Sequence, residues 1–279
     1  MIKALMPRSE FAKNILTLIT GTAFAQAIPL FMTPILTRLY NPDDFGVFAI
    51  YLALVSIFSI AATGRYEQAT MLPKDNADAA SITVLACLIS LVVSGALFVI
   101  VLIFSEPIAK LLGNPQLTSV LYIVPLSIAL TGIYQSFVYW NNRTKQYKKL
   151  AVNRTVQSCV GVLGQSAMGW QSHFSGGLIF GFLSGQLVSL YTMIKSTWQL
   201  DKPYFSRVNQ SSLGAVAKRY IKFPKFLVFS HMLNVAAFQL PVMLITNLFS
   251  SAITGFYFLT QKIKELAYLY LQSVWVQLI

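Results

Sequence analysis

Apolar residues along this chain fall in blocks of about twenty, separated by short polar stretches. They follow neither the one-faced stripe of a water-soluble helix nor the alternation of a half-buried strand. Eight blocks can be read: about Ile15–Leu36, Phe45–Ala62, Ala80–Phe104, Leu117–Trp140, Leu150–Trp170, Gly176–Ile194, Phe226–Phe249, and from Ile253 onward. At a helical rise of about 1.5 Å per residue, blocks of this size match the hydrocarbon thickness of a bilayer. The fifth is the least apolar, and the eighth carries Lys262, Lys264 and Glu265 inside it. The pattern predicts an all-α, multispanning transmembrane protein. Pro29, Pro34, Pro125 and Pro241 fall inside the predicted spans, where each removes a backbone hydrogen bond and permits a kink.

Composition agrees with that class. Hydrophobic residues make up 56% of the 279 and charged ones only 11%, with a mean hydropathy of +0.63; a soluble domain of this length needs more charge to keep its surface wet. The amino terminus has the basic start and the Ala23/Ala25 spacing of a cleavable signal. Its apolar run nevertheless continues through "IPLFMTPIL", which predicts a first transmembrane helix instead.

Charge orients the spans. With a cytoplasmic amino terminus, 17 of the 21 basic residues fall in the inside segments, from Lys3, Arg8 and Lys13 to the cluster between Lys195 and Lys225. Only Arg38 and Lys110 fall in outside loops. This is the positive-inside bias of a multi-pass membrane protein, and it accounts for most of the net charge of +12 without nucleic acid as a partner. Trp140, Tyr147, Trp170, Tyr191 and Trp198 lie near span ends and read as interfacial anchors.

The longest loop divides the chain. Residues 1–198 are expected to form a six-helix lobe, 199–225 a basic cytoplasmic linker, and 226–279 the first two helices of a second lobe. An internal echo supports the division. "IPLFMTPILTRLYNPDDFGVFAI" and "LPVMLITNLFSSAITGFYFL" both place a proline in a helix ahead of a hairpin closed by a glycine and an aromatic, Pro29 with Gly46 and Pro241 with Gly255. Copies six spans apart run the same way through the membrane, as parallel repeats do. A complete relative is then expected to have about twelve spans, with about eight present here, and the chain is read as a fragment or truncated form.

Polar side chains at membrane depth turn toward partner helices or a wet cavity. In the fifth span Asn153, Gln157, Gly161 and Gln165 recur every four residues and share a face, with Arg154 and Ser158 beside it. Gln26, Gln135, Gln186, Asn234 and Gln239 lie in other spans. Two readings stand open: hydrogen bonds between helices, or a hydrophilic lumen between lobes. At the inner end of the second span, "GRYEQA" brings Arg65 and Glu67 to the headgroup level. On a continuing helix they would point about 200° apart and face different neighbours.

No enzyme chemistry emerges. The chain has no phosphate-binding glycine loop, no His/Glu metal pair and no nucleophile with a neighbouring base, and no cofactor or metal is expected. Cys87 and Cys159 stand alone in apolar segments and read as packing residues. His173 and His231 are isolated, with a proton relay as the sharper alternative for His231. The "NRT" sequons at Asn142 and Asn153 fall on the cytoplasmic side, away from glycosylation.

The stretches "LTRLYNPDDFGVFA", "GRYEQA" and "LPKDNADA", together with "FPKFLVFSHMLNVAAFQLPVMLITNLFSSAITGFYFL", resemble bacterial polysaccharide-export proteins. These are the O-antigen (Wzx-type) flippases, within the superfamily that includes MATE transporters. The likeness runs to about Thr260; "KIKELAYLYLQSVWVQLI" departs from it. The resemblance implies transfer of a polyprenyl-diphosphate-linked oligosaccharide from the cytoplasmic to the periplasmic leaflet by alternating access. It also implies a lipid bilayer environment, with polysaccharide polymerase and chain-length proteins as candidate partners. Such a carrier needs cations for the diphosphate and a sugar-compatible cavity. The candidate substrate-binding residues are Arg65, Glu67, Gln26, Arg143, Asn153, Arg154, Gln157 and Gln165. Arg65 is expected to meet the diphosphate while Glu67 pairs with a basic residue of another helix. The alternatives are a MATE-like small-molecule exporter, which would favour an acidic cavity, and an inactive remnant or membrane scaffold.

Overall fold

The computed structural model describes residues 10–172 and 176–278, so Lys3, Arg8 and His173 lie outside the described residues. The elements in order are α1 (Glu10–Leu39), α2 (Pro42–Ala62), α3 (Tyr66–Ala69), α4 (Asn76–Leu111), α5 (Leu117–Leu121) and α6 (Val124–Arg143). They continue as α7 (Tyr147–Ser172), α8 (Gly177–Phe205), α9 (Gln210–Arg219), a π-helical turn (Phe223–Leu227), α10 (Val228–Leu248) and α11 (Ser251–Leu278). The eight predicted spans correspond to α1, α2, α4, α5–α6, α7, α8, α10 and α11. Among the described residues six of these are long and apolar enough to cross a membrane; α7, with its polar stripe, and α11, with its lysines, are the others. This is a multispanning helical membrane protein.

α2 is the axis of the bundle. Its Ile50, Tyr51 and Ala53 are fully buried, and the Tyr51 hydroxyl is bonded to Ser127 of α6. Phe48 meets Phe182 of α8 at 5.8 Å and Phe258 of α11 at 5.9 Å, which ties the α10–α11 hairpin to the core. α4 instead lies at the rim, with Leu91, Val92, Phe98, Leu102 and Ile103 exposed, an apolar surface suited to lipid tails. We call the end of the bundle that carries α3 and α9 the basic end.

Three expectations change. Pro125 does not kink a continuous span. The span is two pieces, α5 and α6, and Pro125 sits in the first turn of α6, where its missing N–H leaves no bond unmade. Trp140 is no interfacial anchor. It is fully buried, packs against Phe205 with the rings tilted at 59° and donates from Nε1 to Asp201 Oδ2 at 2.8 Å, whereas Trp170, Tyr191 and Trp198 are exposed as anchors should be.

The segment 199–225 is the third. α8 runs on to Phe205, and α9, capped by Asn209, docks on α4. Val216 is buried with Tyr66, Ala69, Ile82 and Ala86, while Ser212 bonds Ser81 at 3.1 Å. The Tyr66 hydroxyl donates to the Ala217 carbonyl at 3.0 Å; burial pushes its pKa up, which keeps it a donor. An amphipathic helix with a small apolar face folds down onto the bundle rather than swinging free.

The echoed hairpins have a spatial counterpart. α2 and α11 cross close to their starts, and each supplies a glycine four residues in. A Cβ on Gly46 would fall onto the Ser251 carbonyl, and one on Gly255 onto the Pro42 carbonyl. The contact is reciprocal: each glycine receives the first residue of the other helix. Nearby, Asn114 donates to Ser251 Oγ at 2.5 Å and Asn247 to the Leu111 carbonyl at 2.6 Å, joining the α4–α5 loop to the α10–α11 turn.

Candidate functional site: a cationic cavity along α7

α7 is packed on both sides, by α1 and by α8. Against α8 it presents the polar stripe seen in the sequence, and α8 answers with Gly177, Gly181, Gly185 and Ser189, also four apart. The two rows interlock in antiparallel order. Asn153 Nδ2 donates to the Ser189 carbonyl at 2.9 Å and to Thr192 Oγ1 at 2.8 Å, and its Oδ1 accepts from Ser189 Oγ at 2.6 Å. A Cβ at Gly185 would sit 2.5 Å from the Gln157 carbonyl, and one at Gly181 would collide with the Gln165 backbone. Gln165 Nε2 donates to the Leu178 carbonyl at 2.9 Å, and the Gln165 carbonyl accepts from Tyr40 at 2.7 Å. Burial and the neighbouring Asp44 carboxylate push the Tyr40 hydroxyl up to about 12, so it remains protonated and donating. Asn153 and Gln165 therefore belong to a sealed seam.

Arg154, one residue further round the helix, faces the other way. With Thr22, Gln26, Gln135, Gln157 and Ser158 it lines a cavity of ≈ 1100 Å³. α1, α6 and α7 line it on one side, and α11 contributes Tyr257, Thr260, Gln261, Lys262 and Lys264 to the lining of this partly open space. Arg154 Nη1 donates to the Thr22 hydroxyl at 2.7 Å, so among the described residues its partner there is neutral. The Lys262 ammonium lies 5.6 Å from the Phe258 ring centre. Three cationic side chains thus share the lining with amides and hydroxyls, and among the described residues no carboxylate does. Guanidinium and ammonium groups can donate charge-assisted hydrogen bonds to an anion, and amides and hydroxyls can bond polar, uncharged groups. Lys262 and Lys264 were visible in the sequence as charges inside an apolar run, a signal that points to a functional position.

The remaining candidates stand elsewhere. Arg143 is a clamp: Nε donates to Asn76 Oδ1 at 3.0 Å, and its Nη atoms to the carbonyls of Thr70, Lys74 and Asp75, fixing the α3–α4 loop. Arg65 and Glu67 are absent from the cavity lining. Nor do they point apart, because α2 does not continue. It ends at Ala62; Gly64 and Arg65 both take left-handed backbone angles, φ 58° and 59°. The reversal brings Arg65 Nη1 to 3.4 Å from Glu67 Oε1, so Glu67, buried at 3% exposure, pairs with its near neighbour and, among the described residues, not with a base from another helix. A left-handed conformation is free to Gly64 and costs Arg65 about 1 kcal/mol. His231 lies on α10, also outside the lining.

The chain matches the family model described as "Polysaccharide biosynthesis protein" over residues 35–278. It belongs to that family, and the resemblance read from its motifs is borne out; the departure expected beyond about Thr260 is not, because the match continues to residue 278. Neither the search of curated proteins nor that of solved structures gives a match.

Proposed function

We infer that this member of the polysaccharide biosynthesis family is a flippase, carrying a polyprenyl-diphosphate-linked oligosaccharide between leaflets by alternating access. The observation that supports this best is the cavity with Arg154, Lys262 and Lys264 in its lining beside amides and hydroxyls. A diphosphate is a doubly anionic group that a guanidinium and two ammonium groups satisfy with charge-assisted hydrogen bonds. Gln26, Gln135, Gln157 and Gln261 offer both donors and acceptors to sugar hydroxyls.

In this reading residues 1–198 form one lobe, and α10–α11 begins a second related to it as a parallel repeat, with α9 holding the connection against the first. The glycine crossing of α2 and α11 lies toward the end opposite the basic one. It is the closed side of the path, and the basic end is cytoplasmic by its lysines and arginines, in a bacterial inner membrane with the amino terminus inside. A small-molecule cation exporter is disfavoured by the same charges, which would repel its cargo.

The deciding measurement places the full chain in vesicles with a fluorescent polyprenyl-diphosphate oligosaccharide and follows the fraction of label that an impermeant quencher reaches. The wild type should equilibrate the label between leaflets. Arg154→Ala should slow transfer by about ten- to a hundredfold, the loss of one strong charged contact, with Arg154→Lys in between. No transfer by the wild type, or a triple change of Arg154, Lys262 and Lys264 to alanine that transfers normally, would overturn the reading.

A further inference from the structure

Beside the cavity lies a second, partly open chamber of ≈ 240 Å³, lined by α2, α6, α7 and α8. It shares Tyr134, Gln135 and Gln157 with the main cavity, so the two are neighbours across one layer of side chains. Ser56 and Ser59 from α2, Thr131 from α6 and Gln186 from α8 complete its polar lining. Among the described residues none of its lining groups is a carboxylate, ammonium, guanidinium or imidazole.

Gln186 is 7% exposed. Its Nε2 donates to Thr131 Oγ1 at 3.1 Å, while its Oε1 has no partner. Whichever way the amide is turned, one end meets the Thr131 hydroxyl and the other is unmet. An amide held like this deep in a bundle calls for a ligand that brings a hydrogen bond with it.

The chamber holds on the order of eight waters at about 30 Å³ each. That is below the size of a drug pocket and in the class of a single sugar ring with its hydroxyls. Neutral amides and hydroxyls, which both donate and accept, with Phe182 and Tyr134 adding aromatic carbon, suit a hydroxyl-rich uncharged ring. A bound metal cation fits less well, because hard cations favour converging carboxylates and this site adjoins the Arg154 cavity. A lipid tail would leave the Gln186 amide unmet.

We propose that this chamber is a subsite for one uncharged monosaccharide unit, held through the Gln186 amide. The inference rests on the lipid-linked oligosaccharide reading, with the diphosphate at Arg154, Lys262 and Lys264 and the glycan passing Gln157. The test measures the melting temperature of the full chain in lipid nanodiscs against glucose, galactose, mannose, rhamnose and N-acetylglucosamine, with glucuronate and sodium chloride alongside. At least one neutral sugar should raise it saturably, with glucuronate weaker. Gln186→Met and, separately, Ser56→Val should each raise the half-saturating concentration by about tenfold, the loss of one hydrogen bond to a buried group.

Vesicle transfer measured on the same preparation separates the two ideas. Transfer without any saturable sugar shift, or with a shift that neither variant weakens, overturns the subsite and leaves the flippase reading standing. A Gln186-dependent sugar shift without transfer supports the subsite and overturns the flippase. A shift seen only with sodium, and lost in Gln186→Met, overturns the subsite in favour of a cation site.

Discussion

The two faces of α7 use the same residue types for opposite ends. Toward α8, Asn153 and Gln165 spend their amides on backbone carbonyls and hydroxyls, and glycines on the facing helix bring the backbones into contact. Arg154 and Gln157 also line the cavity bordered by α1, α6 and α11, although the Gln157 backbone carbonyl lies against Gly185. In a membrane no hydrophobic force draws helices together, so close packing and hydrogen bonds decide where they touch. Polarity alone does not mark a lumen. The difference lies in what the neighbouring helix offers: small residues close the gap, large cationic ones hold it open.

The sharpest way to break the comparison is to force the seam apart. Gly181→Leu puts a side chain where the Gln165 backbone already sits, and a helix backbone cannot yield as a flexible side chain can. Overpacking of this kind costs about 1–3 kcal/mol at ordinary core sites and more where backbone is struck. Folded protein recovered from membranes should fall to a small fraction of wild type. Normal yield and melting temperature would mean that the α7–α8 contact is not what holds the bundle.

Next in size is the cavity face, where the expectation reverses. Arg154→Ala should leave the melting temperature within a few degrees of wild type, since its hydrogen bond there is to the Thr22 hydroxyl on one neighbouring helix. Transfer of the lipid-linked substrate should nevertheless fall by at least about tenfold. A variant that unfolds while its remaining molecules transfer normally would move Arg154 from the cavity to the scaffold.

The helices were legible in the sequence because a span in lipid must satisfy its own backbone, so length and hydropathy suffice to find it. Even α7 and α11 were found, despite their polar interruptions. The assignment of side chains was less legible, because it depends on partners far away in sequence. The stripe of α7 could be read, but its meaning required pairing it with the four-residue row of Gly177, Gly181 and Gly185, which was present in the sequence and not connected to it. Arg65 and Glu67 were read on a continuing helix, although Gly64 just past the apolar run is a helix-ending signal that turns the chain. Arg143 looked like an anion site; its guanidinium is instead occupied by the carbonyls of a loop some seventy residues earlier. Among the cations, Lys262 and Lys264 were the better clue. A lysine inside an apolar span needs a wet or anionic neighbour, whereas an arginine at a span end needs none.

The smallest expected effect falls on Asn153, and it divides the two faces most finely. Asn153→Leu keeps the side chain's size and removes three hydrogen bonds to Ser189 and Thr192. Interhelical bonds in membranes are worth about 0.6 kcal/mol on average and up to about 1.7, because the separated helices also find partners. The loss should therefore lower stability by on the order of 1–2 kcal/mol, visible as a lower melting temperature in detergent. Transfer per folded molecule should stay within about twofold, since the side chain is turned to α8 and away from the cavity. If transfer collapses while the melting temperature holds, the polar stripe serves the path directly and the seam is only its wall. Should both hold instead, the glycine contacts alone carry the seam, and Asn153 is a buried amide kept satisfied rather than a fastening.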